Sequence, residues 1–481
     1  MEFALVKVER ERESEQGSFF GMTLCIIVLL ATSLLGTLLQ DVPAFLIPAG
    51  VCLLAATLVF VRTAARRSLG TTKTLCVLFF SVATAHIFCG FLAANLTAGH
   101  TSIRSNAEVY FANALLINSV GLLAAALGYA WKLGRNKNND DDPDRFRIVI
   151  DPASAERVFR IFLLAGVSLM FVVYWKLGLL EYLRVPAKWP FLRYITSDLA
   201  GGSASDEWFA NRAMDLLTVA MPFLVYRAAK RPRMSSILLI VAGYLALLLP
   251  LRRANLLAVV FASLILIGIG RGDVYRLTRK WILIGGCFYI FTQCLFLFGA
   301  FYNDLSTESL LEVSSTALPE VRDLAWTLNR LDGERLNGVT FAQALIPLPS
   351  ISSDWSSRHS LRAISTKLIG VDQKGESGGL RLTLMGEGFI NFGYLGTIAV
   401  SFVWGCGVAW CERLLLAATR RESEFRNYVA VMCFVWICFL LYLAGTQAAA
   451  PVKMGALLVL GMAWLCKYRP YSPPLLSEAQ T

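Results

Sequence analysis

Apolar runs of about 20 residues recur along nearly the whole chain, and a helix of that length spans the hydrocarbon core of a bilayer. Of the 481 residues, 56% are hydrophobic and only 16% are charged. A soluble domain of this size carries more charge. Because lipid offers no hydrogen-bond partner to an open backbone, such runs form helices. The predicted fold class is therefore an all-α polytopic membrane protein.

The hydropathy pattern predicts about twelve transmembrane helices and a large, ordered loop before the tenth. The runs lie near 19–39, 42–61, 74–96, 108–131, 158–175, 213–229, 234–251, 254–270, 281–301, 385–412, 427–446 and 451–466. The first run lacks a cleavage site of small residues, so it is interpreted as a retained span. The predicted division is a cytoplasmic head (1–18), helices 1–9 with an outward loop at 176–212 (19–301), a large periplasmic loop (302–384), helices 10–12 (385–466) and a cytoplasmic tail (467–481).

The loop charges predict the orientation. With the N-terminus in the cytoplasm, most of the 45 lysines and arginines fall in inward segments. The short outward turns at 40–43 and 97–107 then hold only Arg104. Both termini are predicted to be cytoplasmic. The net charge of +11 is explained by positive inner loops, so nucleic acid is not an expected partner.

The cysteines and histidines indicate no metal or cofactor site. All eleven cysteines lie in apolar runs or at their edges, without the spacing of a disulfide framework or a metal site. The three histidines are scattered, and the glycines form no phosphate-binding loop motif. We expect a protein that works without metal or cofactor.

Arginines at outward positions are candidates for binding a phosphate group. Arg252 and Arg253 stand at an outward turn between two apolar runs, where the positive-inside pattern disfavours them. They either snorkel to headgroups or form an anion site, and the second interpretation is preferred. An arginine fork holds phosphate oxygens in pairs and stays charged at any working pH. Arg358, Arg362 and Arg381 of the large loop are further candidates, with solvated surface side chains as the alternative.

Glu387 is the strongest acidic candidate, because it precedes an apolar run and ionisable groups there usually have a partner and a function. It is interpreted as a general base, with a structural ion pair to a nearby arginine as the alternative. His359, with Asp354 behind it, is the second candidate base or else a hydrogen-bonded structural residue. Three tryptophans are candidates for stacking on sugar rings, with anchoring at the membrane interface as the alternative: Trp189, Trp326 and Trp355.

The stretch 336–396 carries a family resemblance. The sequence NGVTFAQALIPLPS is followed by a tryptophan, then by GG-x-R, and then by EGFINFGYLG. This order resembles the outward-loop signature of bacterial Wzy-type O-antigen and exopolysaccharide repeat-unit polymerases. The likeness covers about 60 residues, and elsewhere it concerns only the number of spans, the long loops and an arginine at the outer end of a central span.

The resemblance implies a fold like that of the C-type membrane glycosyltransferases, in the bacterial inner membrane with the active site facing the periplasm. It implies glycan repeat units on undecaprenyl pyrophosphate as substrates. The growing glycan would pass en bloc from its lipid onto a new lipid-linked unit, without metal. A flippase and a chain-length regulator would be further partners, besides the bilayer itself.

Two other functions stay open on the sequence. An O-antigen ligase of the same superfamily would transfer finished glycan to lipid A core. A lipid-linked glycan flippase or other transporter would line its inner spans with charged residues and consist of two similar halves. The sequence shows no internal repeat, and its charges are expected to gather outside the membrane, which disfavours transport.

Overall fold

The computed structural model describes the residues on which every structural statement below rests. They are 43–65, 80, 83–84, 86–91, 107–135, 150–176, 178, 184, 204–248, 253–271, 319–331, 333–345, 364, 382–419, 423–445 and 455–461. Within these ranges the regular structure is entirely helical. The main elements are α1 (Pro43–Ala65), α2 (Ala107–Arg135), α3 (Pro152–Lys176), α4 (Ala204–Lys230), α5 (Met234–Leu248), α6 (Arg253–Arg271), α7 (Pro319–Leu331), α8 (Val339–Leu345), α9 (Leu384–Thr419), α10 (Glu424–Phe434), the π-helical segment π1 (Val435–Leu440) and α11 (Leu441–Ala444).

Three of these helices are long and apolar enough to cross a membrane, by length and composition. They cover Glu108–Gly134, Pro152–Lys176 and Leu384–Ala417. Shorter apolar helices occupy Phe45–Phe60, Met234–Leu248 and Asn255–Arg271. The protein is thus all-helical with membrane-spanning character, whereas the count of twelve spans stays a prediction. The predicted runs at 19–39 and 281–301 lie outside the described residues.

Helices α2 and α9 form the centre of the described bundle and run parallel to each other. At one end the hydroxyl of Tyr394 donates to Oδ1 of Asn113 at 3.0 Å. At the other end Nη2 of Arg413 donates to the carbonyl oxygen of Lys132 at 2.7 Å. Between them, a methyl group added at Gly128 would overlap the backbone of α9, so the two helices are in backbone contact there. A small residue permits this close approach, which is how helices associate inside lipid.

Helix α9 is broken at Gly393, where φ is +67° and ψ is −155°. Only glycine adopts such a conformation readily. Beyond the break the chain reverses: the hydroxyl of Thr397 lies 3.2 Å from the carbonyl oxygen of Met385, which it would miss by about 15 Å in a straight helix. The first arm, 384–392, therefore lies back against the second arm, 394–419. The prediction of one continuous span over 385–412 is wrong for this first arm.

Glycines make the reversal possible because the two arms of α9 touch through their backbones. A methyl group added at Gly388 would lie 2.9 Å from the carbonyl oxygen of Gly396. Since real carbon–oxygen contacts are longer, any larger residue would force the arms apart. The apolar periodicity continues unbroken through this region, which is why a single helix is what the sequence pattern indicates.

The second end of the bundle gathers several helix ends and their charges. Arg227 of α4 contacts Glu156 of α3 at 3.1 Å and Glu424 of α10 at 2.8 Å. Only four residues separate the end of α9 from the start of α10. This cluster therefore lies at the same end of the bundle as Arg413 and Lys132. We call it the basic end. Helices that cross the bundle in alternating directions bring these ends together. The side of the membrane on which the basic end lies stays a prediction.

Candidate functional site

The two separated parts of the signature stretch are joined directly in the fold. Nδ2 of Asn391 donates to Oγ1 of Thr340 at 2.7 Å, and Oδ1 of Asn391 accepts from the backbone N–H of Gly338 at 3.0 Å. The backbone N–H of Leu336 donates to the carbonyl oxygen of Ile390 at 3.0 Å. Asn391 is fully buried. Residues about 50 positions apart thus form one unit, and Asn391 is the side chain that connects them.

A tight turn at Asn337 and Gly338 brings α8 into this contact. Both residues have positive φ, +48° and +83°, as the two central positions of a type I′ turn require. The N–H of Val339 donates to the carbonyl oxygen of Leu336 at 3.0 Å and closes the turn. A methyl group at Gly338 would lie 2.7 Å from the ring of Phe392, so this position also needs glycine for space. The asparagine–glycine pair therefore serves both conformation and packing.

Glu387 lies on the first arm of α9 and is completely buried. Its carboxylate sits against the backbone of Gly445, where a methyl group would overlap Oε2. The carbonyl oxygen of Glu387 accepts from Nδ2 of Asn391 at 2.8 Å, so the bridging residue also holds this turn of helix. Burying a carboxylate costs free energy unless the group is paired. Its position inside the signature unit makes Glu387 the centre of the candidate site, which we call the fold-back site.

The first arm is fixed at its start by Thr383. The Oγ1 of Thr383 accepts from the N–H of Gly386 at 3.1 Å and donates to Oδ1 of Asn118 at 2.6 Å. The first bond caps the helix, because it satisfies one of the unpaired N–H groups of the first turn. The second ties the arm to α2 at a buried position. The carboxylate of Glu387 is thus carried on a helix that is anchored at both ends.

Helix α7 covers the fold-back site from the large loop. Leu324 of α7 packs on Gly386, where a methyl group would lie 3.2 Å from the leucine side chain. The sequence interval 318–331 shows helical periodicity, and α7 occupies nearly the same residues. Its buried face includes two carboxylates, Glu320 and Asp323. The loop helix therefore brings further acidic groups toward the interior.

Glu320 pairs with His86, a residue from the third predicted span. Nε2 of His86 lies 3.1 Å from Oε2 of Glu320, and Nδ1 of His86 lies 3.4 Å from the hydroxyl of Tyr442. That hydroxyl donates to the carbonyl oxygen of Ala83 at 3.1 Å, and the ring of Tyr442 stacks on Trp404 at 5.7 Å. Sequence reasoning missed this pair. The available signal was an ionisable side chain inside an apolar run.

Two arginines of the large loop lie at the described site. The guanidinium of Arg335 sits over the ring of Phe389 at 4.4 Å and borders Gly393. Arg322 pairs with Asp323 at 2.9 Å and covers the ring of Trp326 at 4.7 Å. An arginine therefore covers one face of the Trp326 ring, so a sugar could not stack on that face in this arrangement. Arg335 is the cation closest to the turn at Gly393 for which the contacts are described.

Of the catalytic and phosphate-binding candidates that the sequence singled out, Glu387 is the one whose side chain the structure describes. Arg253 is the first residue of α6, and its side chain is outside the description. The remaining candidates, all outside the described residues, are Arg252, Asp354, Arg358, His359, Arg362 and Arg381. Helix α6 packs against π1, where the ring centroids of Phe261 and Phe439 lie 5.4 Å apart. That these arginines lie close to Glu387 in the fold stays a prediction.

The expectation that charges gather outside the membrane stays a prediction, because burial within the helix bundle does not place a side chain relative to the bilayer. The carboxylates buried among the described residues are Asp215, Glu320, Asp323, Glu387 and Glu412. The hydroxyl of Tyr129 donates to Glu412, and His86 pairs with Glu320. Helix packing buries charge that hydropathy averages do not reveal. Buried charge by itself therefore neither favours nor disfavours a transporter.

The arrangement can accept a proton in an enclosed, low-dielectric place and can present cations nearby. No group of three or more His, Cys, Asp or Glu that could hold a metal occurs within the ranges that the structure describes. No protein-family model, curated protein or solved structure matches this chain.

Proposed function

We propose that the protein is a membrane glycosyltransferase that polymerises lipid-linked saccharide units, with Glu387 as the general base. One observation carries this proposal. Asn391 joins both parts of the polymerase-like signature around the helical arm that bears Glu387. Residues that resemble a family signature thus share one compact structure, and a buried carboxylate lies within it.

In the proposed reaction the carboxylate of Glu387 removes the proton from an acceptor sugar hydroxyl. The acceptor oxygen attacks the anomeric carbon of the donor glycan, and the bond from that carbon to the pyrophosphate oxygen breaks. The lipid pyrophosphate leaves with the bonding electrons, and one glycosidic bond replaces one phosphoester bond. Proton removal of this kind by a placed side chain contributes about 10²–10⁴-fold to rate.

Charge neutralisation at the leaving group is assigned to arginines. The pyrophosphate gains negative charge as it leaves, and guanidinium forks stabilise such charge best when water is excluded. Arg335 borders Gly393 and is exposed. It joins Arg252, Arg253, Arg358, Arg362 and Arg381 as a proposed phosphate ligand. Because Glu387 is enclosed, the acceptor reaches it only when a neighbouring segment moves.

The test is extension of purified lipid-linked repeat units by the full-length protein. We expect Glu387→Gln to bind the lipid-linked substrate and to extend it at least about 100-fold more slowly. Arg381→Ala should weaken substrate binding as well. The matched control is Glu412→Gln, which makes the same change at a buried carboxylate of the same helix, near the basic end. That variant should keep its extension rate per folded molecule.

An extension rate near that of the parent in Glu387→Gln would refute the base assignment and leave His359 or Asp354 as candidates. In cells, loss of the whole polymer ladder upon inactivation indicates a polymerase. Loss of only the attached glycan, with the lipid-linked polymer intact, indicates a ligase instead.

A transporter of lipid-linked glycans is the second candidate function, because of the pair formed by His86 and Glu320. A buried histidine–carboxylate pair can take up and release a proton, which proton-coupled transport requires. Reconstituted vesicles test it. Movement of a labelled lipid-linked saccharide across the bilayer that depends on a pH gradient, and that Glu320→Gln abolishes, would favour transport over polymerisation.

A further inference from the structure

The basic end contains a cleft between α3, α4 and α5 whose lining is rich in arginine. Its lining includes Glu156, Arg227, Arg231, Arg233 and Ser236. Arg231 and Arg233 are exposed and belong to the short connection between α4 and α5. The cleft is separate from the fold-back site, because it lies at the opposite end of the bundle.

The charges around this cleft do not balance. Arg160, Arg227 and Lys230 are engaged with Glu156 and Glu424 in contacts of 2.7–3.1 Å. Arg231 and Arg233 add two more cations at the rim, so among the described residues named here five cations face two carboxylates and leave a net charge of +3. An anion with two or more oxygens would reduce this excess.

Hydrogen-bond donors point to the same conclusion. The hydroxyl of Ser236 accepts from Nη2 of Arg160 at 2.8 Å, which leaves its own proton available to an acceptor. Nε of Arg160 is buried and has no hydrogen-bond partner among the described residues. Buried donors of this kind are normally satisfied. The hydroxyl of Ser236 thus offers the cleft a hydrogen-bond donor beside the excess positive charge.

The surface next to the cleft shows what the anion is attached to. Helix α5 begins directly after Arg233, and its exposed face is apolar: Met234 is 71% exposed and Leu238 60%. Val241 and Leu245 continue this stripe one and two turns further on. On the neighbouring α3, Ile161 is exposed beside Arg160 in the same way. A cationic cleft above an apolar stripe fits a molecule with an anionic head and hydrocarbon tails.

We propose that the cleft binds the phosphodiester headgroup of an anionic phospholipid, with the acyl chains lying along the exposed faces of α5 and α3. Arg231 and Arg233 bind the phosphate oxygens, and Ser236 donates a hydrogen bond. Basic pockets between membrane helices recognise anionic lipids in this manner. The site concerns the protein's attachment to its bilayer and does not depend on the proposed activity.

The test measures retention of dioleoyl-phosphatidylglycerol by the full-length protein in detergent, by native mass spectrometry, with dioleoyl-phosphatidylcholine as the neutral comparison. We expect the parent to retain the anionic lipid selectively. The variant with both Arg231→Ala and Arg233→Ala should bind it about tenfold or more weakly. The variant with both Arg231→Lys and Arg233→Lys should fall between, because the charge is kept and the paired geometry is lost.

The matched control is the double variant Arg157→Ala and Arg271→Ala, which removes two exposed arginines outside the cleft lining. It should retain the lipid as the parent does. Equal retention by the cleft variant and the parent would overturn the proposal. Displacement of the lipid by millimolar inorganic phosphate would overturn the assignment to a lipid and indicate a site for free phosphate. An unchanged thermal midpoint without lipid verifies that the variants fold.

Discussion

The fold-back site and the basic end place charge in opposite ways. At the fold-back site Glu387 is fully buried, and its surroundings are held by a hydrogen bond that Asn391 donates, by one that Thr383 accepts and by backbone contacts through glycine. At the basic end, Arg227 and Glu424 are partly exposed and hold each other by charge. One region holds a buried carboxylate within a hydrogen-bonded and closely packed unit, and the other orders charges around each other.

This difference has a physical consequence for mutation. A buried hydrogen-bond network fails when one member is removed, because the remaining polar groups lose their partners where water cannot replace them. A partly exposed ion network loses little stability when a single side chain is changed, since water and the other ions compensate. We therefore expect single substitutions at the fold-back site to be severe and those at the basic end to be mild.

The largest effect is expected from Asn391→Ala. It removes bonds to Gly338, Thr340 and the carbonyl oxygen of Glu387 at a fully buried position. The cost in the free energy of unfolding should be about 2–4 kcal/mol, since several buried groups lose a partner. Unfolding in denaturant, together with saccharide extension, measures both the stability and the site.

The control for this change is Asn427→Ala on α10. Asn427 is also largely buried, but its Oδ1 has no hydrogen-bond partner among the described residues. We expect a loss below about 1 kcal/mol. Equal losses in the two variants would show that Asn391 has no special connecting role.

An intermediate effect is expected from Gly393→Ala. The added methyl group has room, since the nearest atom would be 3.7 Å away in Arg335, so the cost is conformational. Forcing alanine to φ +67° should cost about 1–3 kcal/mol and should misplace the first arm of α9. A lower thermal midpoint with reduced extension would be the result.

Gly134→Ala is the matched change in α2. An added methyl group there meets no atom within 4 Å, and φ lies outside the left-handed region. It should leave the protein unchanged or stabilise it by up to about 1 kcal/mol. A reversal of the order of these two glycine variants would contradict the fold-back geometry.

The smallest effect concerns the pH dependence of the basic end. Burial opposes the ionisation of Glu424, but Lys230 and Arg227 outweigh it and hold its pKa below the ordinary value. The stability from this group is therefore present above the pKa of the unfolded chain and is lost as the pH falls through the folded pKa. We expect Glu424→Gln to flatten the acid side of the stability profile by less than about 1 kcal/mol.

Thermal midpoints between pH 3 and pH 7 measure this effect, with Asp151→Asn as a comparison. The pKa of Asp151 is lowered first by a hydrogen bond from the hydroxyl of Ser154 and not chiefly by cations. Added salt should therefore weaken the contribution of Glu424 more than that of Asp151. A salt-independent profile for Glu424 would contradict the ion-network description.

The sequence by itself determined the helical, membrane-spanning character, because apolar runs of sufficient length permit only helices in lipid. It also singled out Glu387, whose role as a base stays a prediction, and its periodicity over 318–331 indicated the helix α7. These features depend on neighbours within a few turns of the chain. The family resemblance added a functional expectation, which the fold then connected to one structural unit through Asn391.

The tertiary structure alone decided the rest. Nothing in the apolar periodicity distinguishes the glycine at 393, which reverses the chain, from the glycines that let helices touch. The pairing of His86 with Glu320 joins residues more than 200 positions apart, and it exists only because α7 packs against the bundle. Contacts of such separation depend on how whole helices pack, and local pattern carries no information about that.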